Sequence, residues 1–95
     1  MEGIVSVRVR IPSALRSHTG GETQVELEAT TVEQALQDLE ERFPALILLL
    51  RDEGGALRPR VSIYVNDEHV RYRQGLQTPL HDGDQVFVMP TIMGG

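Results

Sequence analysis

The chain contains no cysteine. Without a thiol it can form neither a disulfide nor a thiolate metal site, and it cannot hold sulfur as a persulfide. Lysine is missing too, since all 9 positive residues are arginine. That excludes a P-loop lysine, a Schiff-base lysine and an isopeptide acceptor on this chain, although arginine-favouring codon usage explains the same absence. Positive charge is also outnumbered, because 14 acidic residues leave a net charge of -5. Nucleic acid is therefore not an expected partner, and a basic protein surface is. Long apolar runs are lacking: the densest, Ala45 to Leu50, is far too short to span a bilayer. The opening MEGIVSVRVRIP has no basic stretch followed by an apolar run and a small-residue cleavage site. No membrane association is expected, and the expected location is cytoplasmic.

What remains is a chain of 95 residues, 40% hydrophobic, with both charge signs interspersed. This suits one compact domain with one modest core. A chain of this size buries roughly two-thirds of the surface that its unfolded form exposes, so a single sheet closed by one or two helices is the natural architecture. A deep enclosed active site is not expected.

Val5, Val7, Val9 and Ile11 alternate with Ser6, Arg8 and Arg10, the period-two pattern of a half-buried strand that Pro12 ends. After a polar turn at His18 to Glu22 the alternation resumes at Val25, Leu27 and Ala29, giving an antiparallel partner. The period then changes. Val32, Ala35, Leu36, Leu39 and Phe43 form the apolar stripe of a helix, opened by Thr31 and Gln34 at capping-box spacing and closed before Pro44. Ala45 to Leu50 fits a buried helical turn or a strand, and Arg51 to Arg60 reads as a surface loop. Val61, Ile63 and Val65 mark a strand ending at the turn Asn66-Asp67; Val70 and Tyr72 predict a short return strand. A last strand, Gln85 to Met89, places Val86 and Val88 on one face and Phe87 and Met89 on the other. The order predicts an α+β, ubiquitin-like β-grasp fold: a mixed sheet crossed by one main helix, with first and last strands paired in parallel. The expected domain is 1–89, followed by a flexible tail, 90–95, ending in Gly-Gly.

Three histidines, His18, His69 and His81, lack metal-site spacing, and solvent-exposed structural roles are expected for them; no metal ligand is assigned. Asp67-Glu68-His69 offers a base and an acid, but adjacent turn residues diverge and no serine has a claim to meet them. Gly20-Gly21 and Gly54-Gly55 lack phosphate-loop context and read as turn glycines. The run Leu46 to Leu50 is expected in the core rather than as an interaction patch.

Gly94-Gly95 differs in kind. Following a strand, the segment from Pro90 can extend about 20 Å, far enough to enter a partner's active site. A carboxylate is a poor electrophile and must first become an acyl-adenylate, whose AMP leaves when sulfide or a persulfide attacks. The attacked carbon must pass a narrow channel, and glycine has no Cβ to obstruct it. Ile92 and Met93 supply apolar anchors just before that slim tip.

The segments V-N-D-E-x-V at Val65 to Val70, D-G-D-x-V at Asp82 to Val86, and the closing Gly-Gly resemble the sulfur carriers of the MoaD/ThiS family. The resemblance covers essentially the whole chain. Leu15 to Gly21 and Val65 to Arg71 look most like the carrier of thiocarboxylate-dependent cysteine synthesis. The resemblance implies a carrier protein and not an enzyme, with no cofactor bound by this chain. A ubiquitin-activating-like adenylyltransferase would use ATP on Gly95, and a rhodanese-type sulfur donor would give the thiocarboxylate. The acceptor would be a pyridoxal-phosphate-dependent cysteine synthase, with a zinc peptidase to release the product. It also implies that the outward sheet face docks on the activating enzyme, which makes Phe87, Met89, Ile92, Met93 and Gly94 the candidate partner-binding residues. The tail Pro-Thr-Ile-Met-Gly-Gly departs from the family's more usual Pro-Pro-Val-x-Gly-Gly. Carriers for molybdopterin, transfer-RNA thiolation or a secondary metabolite thus stay open, as does a protein modifier conjugated through Gly95.

Overall fold

In β1 (Ser6–Arg10), Val7 and Val9 are buried while Arg8 and Arg10 are exposed. The same alternation buries Val25 and Leu27 of β2 (Gln24–Glu28) and Val61, Ile63 and Val65 of β3 (Val61–Val65), because successive strand side chains take opposite faces. A two-residue strand, β4 (Glu68–His69), and β5 (Gln85–Pro90), which buries Val86 and Val88, complete the sheet. The coordinates are a computed structural model that describes residues 4–90. Strand order is β2-β1-β5-β3-β4. β1 runs antiparallel to β2, with Val9 opposite Val25, and parallel to β5, with Val9 beside Val86. β3 is antiparallel to β5, with Ile63 opposite Val88. The expected parallel pairing of first and last strands is thus observed, and it puts the last strand in the centre of the sheet.

Helix α1 (Val32–Arg42) buries Val32, Ala35, Leu36 and Leu39 into one core with the inward strand residues. The backbone N–H of Gln34 donates to Oγ1 of Thr31 at 3.2 Å, one half of a capping box. The return half is displaced by one residue: Oε1 of Gln34 accepts from the backbone N–H of Thr30 at 2.8 Å.

Three expectations need correction. Ala45–Leu50 is a second helix, α2, but only Leu46 and Leu50 reach the core, while Ile47, Leu48 and Leu49 are 44%, 77% and 38% exposed. A six-residue helix offers the core one stripe, so a uniformly apolar run must leave its other faces in water. The return strand is Glu68–His69 rather than Val70 and Tyr72; pairing begins at once after the tight turn, and the chain then winds through a 3-10 turn at Val70–Tyr72 that buries Val70. Pro90 lies in β5, paired with Val61, so the sheet runs one residue into the span assigned to the tail. β1 pairs with β5 only as far as Phe87, which leaves proline at a strand end where it is tolerated.

The loop after α2 hides one charged network. Nε of Arg51 donates to Oε2 of Glu40 at 2.8 Å, and its other terminal nitrogens reach Glu33 at 3.1 Å and the carbonyl of Gly55 at 3.2 Å. The hydrogen bond to Glu40, opposed by burial and reinforced by Glu33, raises the Arg51 pKa above its ordinary value. One side chain thus ties α1, the end of α2 and the following loop together.

Candidate functional site

The turns on either side of β5's N-terminal end fix where that strand starts. Asn66 adopts a positive φ of 56°, a conformation asparagine tolerates better than most residues. Its Nδ2 donates to Oδ1 of Asp84 at 3.1 Å, and its Oδ1 accepts from the backbone N–H of Gln85 at 3.1 Å. Asp84 also accepts from the backbone N–H of His81 at 2.9 Å, while Oδ1 of Asp82 accepts from that of Ser6 at 2.9 Å. The two sequence motifs meet in space and lock β5 between β1 and β3. Their residues hold the strand rather than react.

On the face away from the helices, Cα register aligns a row across the sheet: Gln24, Arg10, Phe87, Tyr64 and His69. The Arg10 guanidinium sits 5.8 Å from the Phe87 ring centroid, a cation–π contact. The Tyr64 and His69 rings meet edge to face at 4.9 Å. Met89, one row further along β5 and opposite Ser62, is 45% exposed. Shallow grooves flank this ridge, one of about 290 Å³ beside Tyr64 and Asp67 and one of about 240 Å³ beside Arg10 and Arg16. Phe87 and Met89 line both. An apolar ridge edged by arginine suits recognition of another protein.

Phe87 and Met89 therefore stand together on the outer face. Ile92, Met93, Gly94 and Gly95 lie outside the described residues. Tyr64 and Arg10 were missed from sequence. The signal was available in the period-two pattern of the neighbouring strands, but their register beside Phe87 follows only from the pairing.

His18 and His81 are exposed and His69 is half-buried, its Nδ1 accepting from the backbone N–H of Arg71 at 3.0 Å. Among the described residues no cluster of three histidine, aspartate or glutamate side chains could hold a metal. Gly20, Gly21 and Gly55 carry positive φ in turns, as turn glycines do. Among the described residues no helix is long and apolar enough to cross a membrane.

Residues 9–95 match the ThiS family. The chain is 41% identical over 93 residues to the sulfur carrier protein CysO of Mycobacterium tuberculosis, covering 96% of this chain and 100% of that protein. Among solved structures it is similar to the Amycolatopsis orientalis BexX/CysO complex, with a TM-score of 0.83 and 40% identity over 94% of this chain and 99% of the matched one. It is also similar to the small archaeal modifier protein 1 of Methanosarcina acetivorans, with a TM-score of 0.87 and 26% identity over 99% of this chain and 100% of that one.

Proposed function

The chain belongs to the ThiS family of ubiquitin-like sulfur carriers, and from that premise we propose that Gly95 is the atom-carrying end of a sulfur carrier, most directly one serving cysteine synthesis. The observation that carries this is full-length similarity to a sulfur carrier protein, joined to a central β5 that fixes the root of the segment ending in Gly94-Gly95.

In the first step a ubiquitin-activating-like adenylyltransferase joins the Gly95 carboxylate to AMP from ATP, releasing pyrophosphate. Sulfide then attacks the acyl carbon and expels AMP, leaving the thiocarboxylate. With a rhodanese-type persulfide as donor, the outer sulfur attacks and expels AMP to give an acyl disulfide; a thiol then cleaves its S–S bond, releasing the thiocarboxylate and leaving the donor's inner sulfur in a disulfide. The chain has no cysteine to take up the sulfur elsewhere. Its contribution is recognition: Phe87, Met89 and Arg10 on the outer face dock the activating enzyme, while Ile92, Met93 and Gly94 guide the tip into its channel. Phe87 and Met89 stand outward with Arg10 beside them, which supports this assignment. The acceptor is a pyridoxal-phosphate-dependent cysteine synthase, and a zinc peptidase releases the product. ATP and pyridoxal phosphate belong to those enzymes, and a cytoplasmic location is in keeping with a step that consumes ATP.

Intact-mass measurement after incubation with ATP, a sulfide source and the activating enzyme tests the proposal. Exchange of one C-terminal oxygen for sulfur, lost when Gly95 is deleted, is expected. An unchanged mass in the full chain overturns it.

Similarity to an archaeal modifier protein keeps one second hypothesis, conjugation of Gly95 to target lysines. The lysine-free chain could not act as its own target. Peptide mapping of cell extracts for lysines joined to Gly95 distinguishes the two. Because the chain has no arginine or lysine after Arg73, tryptic digestion leaves residues 74–95 on such a lysine, and thiocarboxylate accumulating with no such adducts removes the modifier hypothesis.

A further inference from the structure

Where β5 ends, the two sides of the strand meet different surfaces. Met89 points to the outer face, whereas Pro90, by alternation, shares the side of Val86 and Val88. On that side a groove of about 250 Å³ opens between the 3-10 turn Ser13–His18, α2 and the strand ends. Leu15, Leu49 and Pro90 supply its apolar lining, Arg58 and Arg60 its cations, and the His18 ring lies beside them. Nε of Arg58 donates to the carbonyl of Leu48 at 3.2 Å, which holds that guanidinium against α2. Among the described residues neither Arg58 nor Arg60 lies within an ion pair. On a chain of net charge -5 this is a local reversal of sign. The exposed Leu48 and Ile47 extend the apolar surface along α2.

We propose that this groove is a second docking surface, which receives an acidic segment bearing an apolar side chain from the activating enzyme, across the tail root from Phe87 and Met89. The inference rests on the sulfur-carrier function proposed above. An enzyme that encloses the segment after Pro90 must meet the domain around its root, and Met89 and this groove are the surfaces on either side of it. The groove is smaller than most small-molecule sites, roughly 300–1,000 Å³, and of a size for one anchoring side chain. Its arginines, in no ion pair among the described residues, complement carboxylates and would set the approach of a partner as well as its affinity.

The test is calorimetric titration of the purified activating enzyme with the full-length carrier and with Arg60→Glu, Arg60→Ala and Leu49→Ser. Each variant is expected to bind about tenfold more weakly, and binding of Arg60→Glu to depend less steeply on salt than that of the natural chain. Circular dichroism melts identical to the natural chain confirm that a variant's loss is local. Unchanged affinity in all three overturns the inference. If Phe87→Ala still weakens binding and the thiocarboxylate still forms, the carrier function survives that failure. A carrier dimer in sedimentation that Arg60→Glu dissociates also overturns it, assigning the groove to a second copy of the chain.

Discussion

The side-chain amide of Asn66 donates to Asp84 at 3.1 Å and joins the turn after β3 to the turn before β5. Residues 18 apart in sequence thus set the start of the central strand. Substituting Asn66→Ala removes this bond and the one from Gln85, and places a Cβ with no amide at positive φ. A loss of about 2 kcal/mol in urea unfolding is expected. Asn66→Gly, which accepts that φ without cost, should lose less. Equal losses would show that backbone conformation matters little here.

Breaking the buried pair should be costly. Arg51 and Glu40 are 10% and 9% exposed, so Glu40→Gln leaves a guanidinium with only the more exposed Glu33 opposite it. A destabilisation of about 3 kcal/mol is expected. The sign of the pH effect follows from the raised Arg51 pKa: a base stabilised in its charged form contributes fully below its ordinary value and loses that contribution only as pH climbs past it. Arg51 itself should therefore add no slope to stability near neutral pH, which denaturation of the Glu40→Gln variant across neutral pH will check.

Helix α2 separates core from surface within one apolar run. Leu46→Ala should cost about 3 kcal/mol, since Leu46 is fully buried. Leu48→Ala should stay within about 0.5 kcal/mol, since Leu48 is 77% exposed. Thermal melts of the two variants decide it; similar losses would mean that Leu48 is covered.

The outer face should matter to a partner and little to the fold. Phe87→Ala is expected to weaken binding of the activating enzyme about tenfold, as an aromatic anchor does, and Met89→Ala by less. The measurement is a titration alongside a melt, and a Phe87→Ala carrier that binds normally removes this face from the docking surface.

At the tip, Gly94→Ala should slow thiocarboxylate formation by about tenfold or more, because a Cβ must enter a channel shaped for glycine. Its unfolding free energy should change by less than about 0.5 kcal/mol. Equal effects on activation and on folding would make the segment structural.

The sequence by itself determined the fold class, the parallel pairing of first and last strands and the outward direction of Phe87 and Met89. The directions follow from local periodicity, since a period of two sets which side of a strand a residue takes and a period of 3.6 sets a helix face. The fold class and the parallel pairing follow from the order of the elements and the connections that order allows. Exclusion did similar work, because a chain with no cysteine cannot carry sulfur on a thiol. Only the tertiary structure decided what depends on packing between segments. It divided Ala45 to Leu50 into core and surface, because burial is set by what lies opposite each turn of helix. It turned Arg51 from a loop residue into the centre of a buried network, because Glu33 and Glu40 approach it from another element. It also showed that Asn66 and Asp84, read as signs of kinship, hold β5 in place, and that Arg10 and Tyr64 stand beside Phe87. Register across strands and contacts between distant residues are pairwise facts, and no pattern along one segment encodes them.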